Sequence, residues 1–111
     1  MNPRPDLIRI EDILNAISKI DEYKDSLYMY ERDDYLKTVF YDAILYNLVI
    51  IGEAVRNMTA TTKSNIPFTR WTNVIALRNH LVHKYGSIDR DMILTLLNDG
   101  LIELKLALET K

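Results

Sequence analysis

Apolar residues recur at three- and four-residue steps in four stretches of the chain, the spacing of a helix face turned toward a core. The first stretch runs from about Asp6 to Tyr28, with Leu7, Ile10, Leu14, Ile17 and Ile20 in register. Asp6, just after Pro5, is placed to cap it. The run Glu31-Arg32-Asp33-Asp34 reads as a solvated connection, with Asp33 or Asp34 capping a second helix that continues to about Met58. That helix carries two apolar stripes. One is Tyr41, Ile44, Leu45, Leu48, Ile51, Gly52 and Val55; the other, on the opposite side, is Val39, Ala43, Tyr46, Ile50 and Ala54. A helix apolar on two sides is covered on two sides. The second cover is either another helix of the same chain or a second copy, and the shortness of the chain favours the copy.

Thr59 to Pro67 is polar and reads as the longest loop. A third helix is expected over about Thr69–Tyr85, ending at Gly86, a residue suited to close a helix. Ser87 or Asp89 then starts a fourth, to about Glu109, on the stripe Ile93, Leu96, Leu97, Leu101, Leu104 and Leu108. Gly100 interrupts it at a place for a kink or close packing. No stretch alternates with a period of two. The expected fold is all-α, an up-and-down bundle of four to five helices, forming one domain over 1–111.

Composition narrows the compartment. No cysteine is present, which removes disulfides and thiolate metal sites and suits a reducing cytosol. The start, Met1-Asn2-Pro3-Arg4-Pro5-Asp6, lacks the apolar centre of a signal peptide, and no uninterrupted apolar run approaches the roughly 18 residues of a membrane span. The expectation is a soluble, cytoplasmic protein with no membrane partner. Net charge is −2, which argues against a general nucleic-acid binder. Between Lys63 and Arg90, however, five basic residues (Lys63, Arg70, Arg78, Lys84, Arg90) face one acid, Asp89, a local +4 that leaves −6 on the remainder. Such a distribution suits contact with phosphate at a single place, or a merely solvated face.

Helix three contains a conflict. At about 100° per residue its apolar arc holds Trp71, Val74, Ile75, Leu77, Leu81 and Val82, yet Arg78 and Tyr85 lie in the middle of it. An arginine buried without a partner costs several kcal/mol, so something compensates it. Glu53, the acid deep inside the apolar part of helix two, offers an internal ion pair. Alternatively, the rigid guanidinium fork, its stem packed and its head free, is a phosphate clamp. His83 falls about 140° round the helix from Arg78, beside Ala76, Asn79 and His80. Asn79 and His83 are four residues apart and can share a hydrogen bond that sets the imidazole tautomer. His80 and His83 form an i, i+3 pair with no third ligand nearby, so no metal site is expected. There is no glycine-rich phosphate loop and no serine-hydrolase arrangement. One arginine, one amide, one histidine and one tyrosine on two helical turns suit phosphodiester chemistry without a metal or other cofactor.

The segment Arg78-Asn79-His80-Leu81-Val82-His83-Lys84-Tyr85 resembles the Arg-Asn-x3-His-x-Tyr signature of the HEPN superfamily, in particular its small HepT-like toxins. Ile51-Gly52-Glu53-Ala54 is similar to a second element of that family, and Ile66-Pro67 and Ile88-Asp89 agree with it. The resemblance spans about residues 6 to 109. It implies a four- to five-helix bundle that forms a homodimer with paired motif helices lining a cleft. It further implies a metal-independent endoribonuclease, the toxin of a toxin–antitoxin pair. Its partner would be a minimal nucleotidyltransferase antitoxin, which inactivates it by transferring AMP to the motif tyrosine, here Tyr85. On this reading Arg78 and His83 are catalytic, with Asn79, Tyr85 and Glu53 in support. RNA is the substrate, cut to a 2′,3′-cyclic phosphate. A non-catalytic helical subunit that docks a nucleotidyltransferase is the alternative. On a straight helix the Cβ atoms of Arg78 and His83 are roughly 10 Å apart and point differently, so a composite site built across a two-fold axis is expected.

Overall fold

In the computed structural model the chain is described over residues 4–109, with the side chains of Arg4, Tyr85, Asp91, Met92 and 94–98 outside the description. Among the described residues there are five α-helices and one 3-10 turn: α1 (Arg4–Met29), α2 (Asp34–Asn57), α3 (Ala60–Ser64), α4 (Trp71–His83), the turn Tyr85–Ser87 and α5 (Arg90–Glu109). Among the described residues there is no strand, and the fold is the expected all-helical bundle.

The frame is the α1–α2 hairpin. Asp33 caps α2 by accepting from the Leu36 amide at 3.0 Å, as its position in the acidic connection predicts. The first stripe of α2 is buried throughout: Tyr41, Ile44, Leu45, Leu48, Ile51, Gly52 and Val55 all face the core. They meet Ile10, Ile13, Ile17 and Ile20 of α1, Leu81 of α4 and Ile93, Leu101, Leu104 and Leu108 of α5. Each such aliphatic side chain contributes about 1.5–3 kcal/mol when fully buried. The hydrophobic pattern therefore sets both the helices and their facing. The side chains of Leu96 and Leu97, expected on this stripe, lie outside the described residues.

The second stripe of α2 is different. Tyr46 is 67% exposed and Val39 42%, Ala43 and Ile50 are half-buried, and only Ala54 is enclosed. Ile50 packs against the core and borders a hollow shared with Arg9 and Asp12 of α1, so the open part of this face is the end bearing Val39 and Tyr46.

Several expectations are corrected. Helix α1 begins at Arg4, and Asp6 is not its cap but a buried member of its inward face, while Leu7 points to solvent. The Thr59 and Thr62 hydroxyls each donate to Asp6 Oδ2 at 2.6 Å, Arg9 Nη1 reaches Oδ1 at 3.0 Å, and the Thr59 amide adds weaker contacts. These partners, the Thr59 hydroxyl foremost and Thr62 next, hold the Asp6 carboxyl well below the usual carboxylate range against the opposing effect of burial. The same network orders the expected loop: Thr59 caps the short helix α3 by accepting from the Thr62 amide. Helix α4 is shorter than predicted. It ends at His83 with Lys84 as its C-terminal cap, and Gly86 sits inside the 3-10 turn without a left-handed backbone. Val82, expected on the apolar arc, is 45% exposed. Helix α5 runs unbroken through Gly100, where an added Cβ would meet nothing within 4 Å. Finally, α2 is long and apolar enough to cross a membrane by length and composition, with a mean hydropathy of 1.4 over an 18-residue window. Half of that window is buried inside the bundle, so packing against α1 and α4 accounts for its apolar content.

Candidate functional site

Helix α4 lies against α2 so that Arg78 crosses Gly52. A Cβ built on Gly52 would fall 2.7 Å from Arg78 Cγ and 3.4 Å from its Cα, and closer still to its Cβ. The two helices approach this closely because position 52 has no side chain. The arginine stem is thereby packed, as its place in the apolar arc requires, and the side chain retains only 19% exposure.

The guanidinium head emerges beside Glu53, one residue along. Nη2 stands 2.9 Å from Glu53 Oε2, and Nη1 donates to Asn79 Oδ1 at 2.9 Å. The internal ion pair is thus present. It uses one carboxylate oxygen, Oε2, which is buried; it is a charge contact without the alignment of a hydrogen bond. Arg78 Nε is buried with no hydrogen-bond partner among the described residues. The other oxygen, Oε1, accepts from Asn57 Nδ2 at 3.3 Å and lies 3.8 Å from Arg56 Nη1. The Glu53 side chain is 44% exposed, so this carboxylate is fixed at one end and accessible at the other. Asn57 also donates to the Glu53 carbonyl at 3.0 Å, one helical turn back, which anchors its amide. Asn57 and Arg56 escaped the sequence reading; their i, i+4 and i, i+3 spacing from Glu53 was the available signal.

Arg78, Asn79 and Glu53 are therefore brought together. His83 is not joined to them: it is the last residue of α4, exposed, and makes no hydrogen bond or ion pair among the described residues. The expected Asn79–His83 bond does not occur among the described residues; the Asn79 oxygen accepts from Arg78 instead. His80 is exposed as well, and no cluster of three metal-ligating side chains occurs among the described residues. Tyr85 opens the 3-10 turn that follows α4; its side chain lies outside the described residues. Within one chain the arrangement can hold an anion at Arg78 beside a carboxylate, with an imidazole presented elsewhere on the same helix.

Comparison with known proteins agrees with this grouping. The family model described as "Ribonuclease HepT-like" matches residues 13–110. A "Putative RNase" of Methanocaldococcus jannaschii is 27% identical over 100 residues, covering 88% of each chain. A "Probable ribonuclease HepT" of Thermococcus cleftensis is 34% identical over 83 residues, 72% of this chain and 71% of that one. A third relative, the M. jannaschii "Gamma-glutamylcyclotransferase and putative RNase", is 31% identical over 84 residues, and the match takes in 36% of its length. No solved structure matches. A match across nearly the whole chain, over helices that bring Gly52, Glu53, Arg78 and Asn79 to one place, shows that the chain belongs to the HepT-like ribonuclease family.

Proposed function

We propose that the protein is a metal-independent endoribonuclease, a single-domain toxin acting in the cytoplasm and controlled by a nucleotidyltransferase antitoxin. The observation that carries the reading is the placement of Arg78. An arginine with a packed stem and a head set between Glu53 and Asn79 is preorganised to receive a phosphodiester, in a chain of a ribonuclease family. The 2′-hydroxyl of the ribose attacks the adjacent phosphorus, giving a 2′,3′-cyclic phosphate and a free 5′-hydroxyl. Arg78 stabilises the charge that develops on the phosphate oxygens, and His83 takes part in proton transfer. Asn79 orients the guanidinium, and Tyr85 contacts the phosphate or ribose.

Because His83 and Arg78 face different ways on one helix, the complete site needs a second copy. The part of α2 that exposes Val39 and Tyr46 supports a homodimer. AMP carried on Tyr85 would add bulk and negative charge where RNA phosphate sits, which explains inactivation by the partner. Incubation of the protein with total RNA in the presence of a chelator tests the reading. Cyclic-phosphate and 5′-hydroxyl ends that vanish with His83→Ala are expected. Cleavage by His83→Ala equal to that of the parent refutes the assignment.

A further inference from the structure

Transesterification of RNA moves two protons, one off the attacking 2′-hydroxyl and one onto the departing 5′-oxygen. The histidines are two, and both stand on the exposed side of α4 away from the Arg78 head. The acid in contact with that head is Glu53, whose oxygens have separate surroundings. Oε2 is buried against Nη2 at 2.9 Å, whereas Oε1, with Asn57 and Arg56 beside it, belongs to a side chain 44% exposed. Arginine–carboxylate pairs are frequently bidentate, with both oxygens in the guanidinium fork. Here the second oxygen is held outside the fork by Asn57 and Arg56, on a side chain 44% exposed and in contact with the Arg78 head.

We propose that Glu53 is the general base of the reaction, a role that rests on the nuclease reading above. A phosphodiester gripped by Arg78 carries its own 2′-hydroxyl only a few bonds from the phosphorus, within reach of Glu53 Oε1. The carboxylate accepts the 2′-proton as the 2′-oxygen bonds to phosphorus. The bond from phosphorus to the 5′-oxygen breaks, and protonated His83, supplied by the second copy, gives its proton to that oxygen. The substrate class is ribonucleotide with a free 2′-hydroxyl. Asn57, donating to both Oε1 and the Glu53 carbonyl, is a positioning residue for the base.

The experiment compares an RNA dinucleotide with a ribonucleoside 3′-(4-nitrophenyl phosphate), whose leaving group departs as a phenolate and requires no proton. Glu53→Gln is expected to slow both substrates by about a hundredfold or more, because both need the base. His83→Ala is expected to abolish cleavage of the dinucleotide while losing far less of the rate on the nitrophenyl ester. Glu53→Asp, which keeps the charge, should give intermediate rates on both and guards against a glutamine variant that fails to fold. Binding of the 2′-deoxy dinucleotide by Glu53→Gln should stay within about threefold of the parent. Parental turnover of the nitrophenyl ester by Glu53→Gln overturns the assignment, as does loss of 2′-deoxy dinucleotide binding matching the loss of rate, since Glu53 then acts through Arg78. A parent protein that cleaves neither substrate overturns the nuclease reading itself.

Discussion

Gly52 lies directly beneath the stem of Arg78, so the two residues that the sequence presents 26 positions apart form a single structural unit. The missing side chain at 52 lets α4 settle on α2, and the next residue, Glu53, meets the guanidinium that the gap admits. The pairing gives a physical reason for glycine and glutamate to be adjacent on α2 in a chain with arginine on α4. The glycine is needed for proximity, not for a left-handed backbone, because no positive-φ residue occurs among those described.

Gly52→Ala is accordingly expected to destabilise the protein by about 1–3 kcal/mol, the usual range for overpacking a core contact. Because the clash begins at Arg78 Cβ, Arg78→Ala should not relieve it. Arg78→Gly should, so the Gly52→Ala/Arg78→Gly pair is expected to lose less than the sum of the two single changes. Urea unfolding of the four proteins measures this coupling.

Much of this unit was legible in advance. The stripe of α2 was read residue by residue because period and burial coincide there, and Arg78 stood out because a charge interrupted an apolar arc. What escaped was the detail that depends on the partner helix. Glu53 was a candidate partner, but the division of its oxygens between Arg78 and Asn57 follows from the packed geometry, which no spacing rule contains. The role of Asp6 is hidden from the sequence for the same reason. A carboxylate beside a helix start is ordinarily a cap, and only the fold brings Thr59 and Thr62 to it across more than fifty residues. The side chain of Tyr85, central to the sequence reading, lies outside the described residues.

The Asp6 network has a pH signature. Its folded-state carboxyl is held below the ordinary value, so its contribution to stability is complete above about pH 4 and is lost as pH falls toward the folded value. Asp6→Asn is expected to lower stability by about 2–3 kcal/mol at pH 7, the range for hydrogen bonds to a buried charge. The gap between variant and parent should narrow as pH drops below 4. Thermal melts of both proteins from pH 7 to pH 3 provide the measurement. A gap that widens in acid would show that the network is not ionic.

His83→Ala and Tyr85→Phe separate catalysis from control. His83 is exposed and unbonded among the described residues, so its removal should change stability by no more than about 0.5 kcal/mol while abolishing RNA cleavage. Tyr85→Phe keeps the ring and removes the hydroxyl that would accept AMP. It should therefore resist modification by the proposed nucleotidyltransferase partner, which intact-mass measurement after incubation with such an enzyme and ATP would detect. Weakened cleavage by a protein that the proposed antitoxin no longer silences is the expected phenotype.

The proposed homodimer with its composite site makes a prediction that a self-contained site cannot. In an Arg78→Ala homodimer both sites lack the guanidinium, and in a His83→Ala homodimer both lack the imidazole. Mixing the two after subunit exchange yields heterodimers in which one site draws His83 from the first chain and Arg78 from the second, while the other site lacks both. Random reassortment makes half the dimers mixed with one intact site of two, so recovery of about a quarter of parental cleavage is expected. Tyr46→Glu, placed on the exposed face of α2, should weaken the dimer and reduce that recovery together with parental activity. Sedimentation and RNA cleavage measured on the same samples test both statements. If the mixture stays inactive although exchange has occurred, Arg78 and His83 do not converge from different chains.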